Sequence, residues 1–327
     1  MSADVTSTAG FTPTTPLVVT AGETMGAFAA ATPGAVMRGQ QFALGVAGSE
    51  SNVAITLARL GIASRWVGCV GDDAIGAMIL RELRAEGVET QARALTAHPT
   101  GVMVKGRPSA SQWRVSYHRR DSAGAQLSSD DLGPAALDGA TVLHLTGITL
   151  ALSAGARAAV FDAVERARNA GILVSFDVNH RRALWPDSEA SCVIGELLPM
   201  VDMLFAGLDE AQLLASGTDP ETLARAIGRL GPREVVLKMG ALGSCAWTEP
   251  TGFIEQRAHP VTVVDPVGAG DAFVGGYLAA LVENTSIADR LALGARLGER
   301  AVSTVGDWEG APTRADLAAH HADEVTR

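Results

Sequence analysis

Lysine is nearly absent from this chain of 327 residues: there are two, Lys105 and Lys238, and the other strong cations are arginines. With 36 acidic against 26 basic residues the formal net charge is −10, which excludes the clustered positive surface of a nucleic-acid binder. Cysteine is equally scarce. Cys69, Cys192 and Cys245 are odd in number, far apart and without a C-x-x-C pair, so they read as buried thiols of a reducing cytoplasm rather than a disulfide frame or zinc site. The seven histidines show no H-x-x-x-H spacing, and no protein-caged metal is expected. No apolar run reaches the ~18–20 residues of a membrane span. The opening MSADVTSTAGFTPTTP has neither the basic start nor the apolar segment of a secretory signal, and residues 1–15 read as a disordered tail.

What is present is apolar and alternating. Hydrophobic residues make up 47% and charged residues 19%, enough to build a substantial core. Short apolar runs (PLVVTAGE, SRWVGCVG, TVLHLTG, LVSFDVN, VDMLFAG, REVVLKMG) alternate with helical stretches such as DAIGAMILRELRAEGV, AGARAAVFDAVERARNAG, SCVIGELLPM and TLARAIGRLG. SNVAITLARLG over 51–61 reads as a helix capped by Ser51 and closed by Gly61. This order predicts one α/β domain over residues 16–320, with a mainly parallel sheet and helices on both faces. Two segments break the rhythm, at about 27–45 and 98–121. Each looks like strands and turns without a crossover helix, forming either a small second sheet or a pair of surface hairpins.

The stretch VVDPVGAGDAFVGGYLAAL (263–281) carries the chemistry. It has no Lys or Ser/Thr for a G-x-x-x-x-G-K-[ST] loop, and Phe273 stands where G-x-G-x-x-G needs its third glycine. A strand over 261–265 followed by a helix over 271–283 would put Gly268, Ala269 and Gly270 at a helix start. Amides there lack intrahelical partners and meet the positive end of the dipole, so they suit an anion. Asp271 would compete with that anion unless it has its own task. A general base for a hydroxyl that attacks a phosphate is one such task, and a plain helix cap is the other.

The same stretch resembles the C-terminal signature of the ribokinase-like (PfkB) carbohydrate kinases. VAGSESNVAITLARLG (46–61) and WVGCVGDDAIGAMILRELRAEGV (66–88) resemble their N-terminal motifs, and the similarity runs from about residue 17 to 318. AGE (21–23), YHRRDSAGAQLSSDDL (117–132), LHLTGIT (143–149), FDVNHRRALW (176–185) and VGDWEGAP (305–312) are similar to 2-keto-3-deoxygluconate kinases within it. The resemblance implies phosphoryl transfer from ATP to a sugar hydroxyl with Mg²⁺, and a β lid over the sugar formed by the two irregular segments. Pairing of two copies through that lid is a further expectation; nucleic-acid and membrane partners are not expected.

By the same resemblance Asp271 is the catalytic base and the amides of Gly268, Ala269 and Gly270 form the anion hole. Gly48, Asn52, Tyr117, Arg119, Arg181, Asp265 and Asp307 fall at sugar-facing positions, with Asp265 equally suited to capping its own turn. Arg119 and Arg181 would supply the guanidinium forks that a 2-keto acid needs and a neutral hexose does not. Asn179, Lys238, Gly240, Gly243, Gly268 and Gly270 fall on the ATP side. Glu210 would order water around Mg²⁺; Gly207 occupies the family's Asn position three residues before it, which removes an amide contact. The leading reading is a 2-keto-3-deoxygluconate kinase acting on the terminal hydroxyl. A kinase of fructose, ribose or a related neutral sugar is its rival, and a non-enzymatic sugar or nucleotide sensor is the alternative from another class.

Overall fold

Val18 and Val19 are neighbours on the first strand, yet they enter different hydrophobic cores. So do Val142 and Leu143, Leu204 and Phe205, and Val235 and Val236. A side-chain period of two forces this split: a strand buried on both faces must be apolar at every position. The computed structural model describes residues 15–109 and 112–325, so the expected tail lies outside the described residues as far as residue 14.

Nine strands form a large sheet: β1 (Leu17–Ala21), β4 (Ala63–Gly71), β5 (Glu89–Leu95), β8 (Ala140–Thr146), β9 (Leu173–Asp177), β10 (Met203–Gly207), β11 (Glu234–Lys238), β12 (Ser244–Thr248) and β13 (Gly252–Gln256). Four more, β2 (Met25–Ala30), β3 (Phe42–Ala47), β6 (Val102–Ser109) and β7 (Gln112–His118), form a second sheet. The large sheet runs β13-β12-β11-β10-β9-β8-β1-β4-β5 and is parallel from β11 to β5, with an antiparallel hairpin at the β13 edge. The second runs β3-β2-β6-β7, and its strands come from the two segments that break the α/β alternation.

Helices cover both faces of the large sheet. Ala154–Asn169 and Asp187–Leu197 pack their apolar stripes against one face. Ser49–Arg59, Ala269–Val282 and Ile287–Val302 pack against the other. There Phe205 meets Tyr277 and Phe273 edge to face, with ring centroids 5.3 and 6.5 Å away. Both partners belong to the helix that begins at Ala269, so this contact pins the helix to the sheet.

Two local expectations fail for physical reasons. Residues 261–265 are not a strand: Val264 N and Asp265 N both donate to the Val302 carbonyl, at 2.7 and 3.2 Å. The β-branched side chains that suggest a strand are largely exposed, Val261 at 42% and Val263 at 63%, and they line a cavity instead. The first motif helix begins at Ser49 rather than Ser51, and its N-cap Gly48 makes no side-chain cap. Ser51 Oγ instead donates to the Gly48 carbonyl at 2.9 Å.

Candidate active site

The order of strands reverses at β1, where β8 leads one way and β4 the other. In open α/β sheets the crevice beyond the carboxyl ends of the strands at such a point receives the ligand. The chain places its polar side chains there. Asp177 ends β9, Lys238 ends β11, and Glu210 follows β10.

Gly268 precedes the Ala269–Val282 helix with φ of +79°. A Cβ on it would overlap the carbonyl oxygen of Asp307, so the turn needs glycine for both its backbone angle and its packing. Gly268, Ala269 and Gly270 are thereby brought together at the helix start. Asp271 follows, and its carboxylate accepts from Ser49 Oγ at 2.7 Å and Asn52 Nδ2 at 2.8 Å. Ser49 Oγ accepts in turn from Asn179 Nδ2 at 2.7 Å. Burial pushes the Asp271 carboxyl above its ordinary value; the Ser49 and Asn52 hydrogen bonds and the Arg181 charge pull it down, while Asp177 pushes it up.

Several residues expected at the sugar or nucleotide are committed elsewhere. The Asn52 amide goes to Asp271, leaving Asn52 Oδ1 buried without a partner. Asn179 sits on the Ser49–Asp271 chain of hydrogen bonds. Gly48 is extended, and a Cβ there would lie 2.5 Å from the Glu23 carbonyl oxygen, so close packing of backbone alone demands glycine. Tyr117 is 42% exposed on β7 and faces the Arg119 guanidinium 5.8 Å from its ring centroid.

Arg119 has a partner inside the protein. Its Nε and Nη2 lie 2.6 and 2.5 Å from Glu23 Oε2, and both side chains are buried. Ser122 Oγ donates to the other Glu23 oxygen. The Nε edge of this guanidinium is therefore engaged by a carboxylate of the protein itself. Arg181, by contrast, is exposed, and its charge is felt at Asp271. Asp265 and Asp307 are likewise occupied. Each accepts from Lys105 Nζ at 2.8 Å, and Asp265 Oδ1 also caps its own turn by accepting from Val267 N.

On the opposite side of the helix start, Lys238 Nζ donates to Asp177 Oδ2 at 2.6 Å and lies against Gly270. Burial alone would lower the Lys238 ammonium, but Asp177, then Glu210, hold it above its ordinary value. Glu210 accepts from His180 N and Gly207 N, both at 2.7 Å, so its first task is to fasten the ends of β9 and β10. Two cavities meet at Lys238. One of about 510 Å³ is lined by His180, Gly207, Glu210 and Met239. The other, about 650 Å³, is walled by Gly240, Gly243, Val261, Val263, Ala269 and Phe273. Gly240 and Gly243 have φ of +56° and +108°, which explains their residue type at this rim. Among the described residues no group of three or more His, Cys, Asp or Glu side chains converges as a metal cage, and no helix is long and apolar enough to cross a membrane.

Motif reading missed Ser49, Asp177 and Lys105. The first two lie inside quoted motifs, beside Gly48 and two residues before Asn179; Lys105 announced itself only by the rarity of lysine.

A helix start open to anions beside a buried carboxylate is equipment for transferring an anionic group to a small molecule. Known proteins agree with that class. The pfkB family carbohydrate kinase model matches residues 15–314. The 2-dehydro-3-deoxygluconokinase of Bacillus subtilis (strain 168) is 37% identical over 305 residues, covering 92% of this chain and 94% of that protein. That of Thermoproteus tenax is 34% identical over 301 residues, covering 90% and 91%. The crystal structure of a PfkB protein from Polaromonas sp. JS666 superposes with a TM-score of 0.84 at 35% identity, covering 92% of this chain and 99% of that one. The chain belongs to the PfkB family and is a sugar kinase.

The Arg119 pair yields a prediction. Arg119→Ala leaves Glu23 buried without its cation and lowers unfolding stability by ~3–5 kcal/mol, as loss of one partner of a buried pair does. Urea unfolding checks this. A variant of unchanged stability but raised sugar KM would place Arg119 at the substrate instead.

Proposed function

We propose that this sugar kinase transfers the γ-phosphoryl group of ATP to the terminal hydroxyl of 2-keto-3-deoxygluconate. The observation that carries the substrate class is Arg181, an exposed guanidinium two residues from Asn179, whose amide joins the Ser49–Asp271 chain of hydrogen bonds. A sugar acid carries a carboxylate at the end away from its terminal hydroxyl, and a guanidinium in the same site offsets the desolvation of that group. The two relatives named 2-dehydro-3-deoxygluconokinase support the same reading across nine-tenths of the chain.

Asp271 accepts the hydroxyl proton as the sugar oxygen bonds to the γ-phosphorus and the bond from that phosphorus to the ADP oxygen breaks. The amides of 268–270 receive the negative charge of the transferring group, with Lys238 beside Gly270 adding a fixed positive charge. The apolar cavity along Val261, Val263 and Phe273 suits a purine, and Gly240 and Gly243 form its rim. Asp177 Oδ1, buried without a hydrogen-bond partner, and Glu210 fit a hydrated Mg²⁺ carried in by the phosphates. When bound, that ion neutralises phosphate charge. The second sheet serves as a lid that keeps water from the phosphoryl group once sugar is in place. A neutral-sugar kinase is the second reading, favoured by the commitment of Arg119 to Glu23.

Three measurements test the proposal. Asp271→Asn keeps sugar and ATP binding but lowers kcat by ~10²–10⁴; near-normal turnover would remove Asp271 from the mechanism. Ser49→Ala deletes a hydrogen bond that stabilises the Asp271 carboxylate, so the acid limb of the pH dependence of kcat moves to higher pH. An unmoved limb would show that another group controls it. Arg181→Ala raises KM for 2-keto-3-deoxygluconate at least ~10-fold, from the ~1.5–3 kcal/mol of a hydrogen bond to a charged group, and affects a neutral sugar much less. Equal losses on both substrates would favour the neutral-sugar reading.

A further inference from the structure

Lys105 is 2% exposed, on a strand of the second sheet, and far in sequence from everything it holds. Its Nζ lies 2.8 Å from Asp265 Oδ2 and 2.8 Å from Asp307 Oδ1. It also lies 5.4 Å from the centroid of the Trp113 ring on the adjacent strand β7. Trp113 Nε1 donates to the Val264 carbonyl at 3.3 Å, so two strands of that sheet reach the segment that leads into the glycine turn.

The carboxylates it joins have further ties. Asp265 accepts from Val267 N at 3.1 Å and from Gly306 N at 3.3 Å. The Asp307 carbonyl is the atom on which Gly268 is packed. One ammonium therefore bridges three separate pieces of chain: the second sheet, residues 264–268, and the 303–309 loop. Without it, two buried carboxylates would face each other at the foot of the turn, and like charges at such a distance in a poorly solvated site repel strongly. Burial already pushes the Asp307 carboxyl up to about 6 despite the Lys105 charge.

We propose that Lys105 is a positioning residue for phosphoryl transfer: by clamping Asp265 to Asp307 it holds Gly268 on the Asp307 carbonyl and so aims the 268–270 amides. The inference rests on the reading of those amides as the cradle of the transferring phosphoryl group. Lys105 touches neither substrate in this arrangement. Its effect passes through the backbone of the turn, and it links the placement of that turn to the placement of the second sheet. Lysine suits the task because its ammonium is a compact charge whose three donors can be aimed at both carboxylates.

The test uses Lys105→Met, which keeps the stem and removes the charge. The second variant, Lys105→Met with Asp307→Asn, restores the net charge of the cluster to −1 and so keeps the fold if the single variant does not. In each folded variant kcat falls ~10²-fold, the effect of a small misplacement at the reacting centre. KM for the sugar changes little, and amide hydrogen exchange rises at residues 266–270 while the Ser49–Arg59 helix keeps its protection. Wild-type kcat in a folded variant overturns the proposal, as does a loss carried by KM, or exchange in the turn that does not change. Asp271→Asn separates the two levels. If that variant turns over normally, the reading of the site fails; if it is inactive while the Lys105 variants are normal, the positioning role alone fails.

Discussion

The backbone of Gly268 rests on the carbonyl oxygen of Asp307 with no room for a single methyl group between them. That contact, together with a left-handed φ, settles where the Ala269–Val282 helix starts. The direction of its first amides follows from it, as does the position of Asp271 three residues on. The other end of the constraint is the aromatic contact of Phe273 and Tyr277 with Phe205, which seats the same helix on the large sheet. A helix fixed at its first residue and along its first turns leaves its leading carboxylate little freedom. Ser49 and Asn52, on a helix packed against the same core, remove what remains.

Charge is sparse in this molecule but concentrated where the strands end. Two buried cations and one half-buried one meet carboxylates: Arg119 with Glu23 and Lys105 with Asp265 and Asp307, and Lys238 with Asp177. Burying an ion costs several kcal/mol, and a partner at hydrogen-bond distance offsets that only when geometry is good. Such pairs are a poor source of stability and a good source of fixed direction. The acidic residues of the chain thus serve at its interior as well as on its surface.

The α/β order and the glycine turn were legible because each has a local signal: a period of two or near 3.6, and glycines whose removal of Cβ has one use at a helix start. What was not legible depends on distant partners. Arg119 looks free in YHRR because Glu23 is 96 positions away in the chain. Asn179 looks like a ligand contact because Ser49, which links it to Asp271, does not resemble a site residue by type, and Asn52 because its partner Asp271 is 219 positions away. Val261 and Val263 look like a strand because β-branched residues are rich in strands, and nothing local reveals that they wall a cavity.

The packing of Gly268 on Asp307 also bears on when the protein becomes competent. Every strand of both sheets lies before residue 257, so the sheets can assemble while the chain is still being synthesised. The atom that supports the turn does not yet exist at that stage. A growing chain that has both sheets but not yet residue 307 therefore lacks the support of its glycine turn, and the turn can take its final place only once that residue has been made.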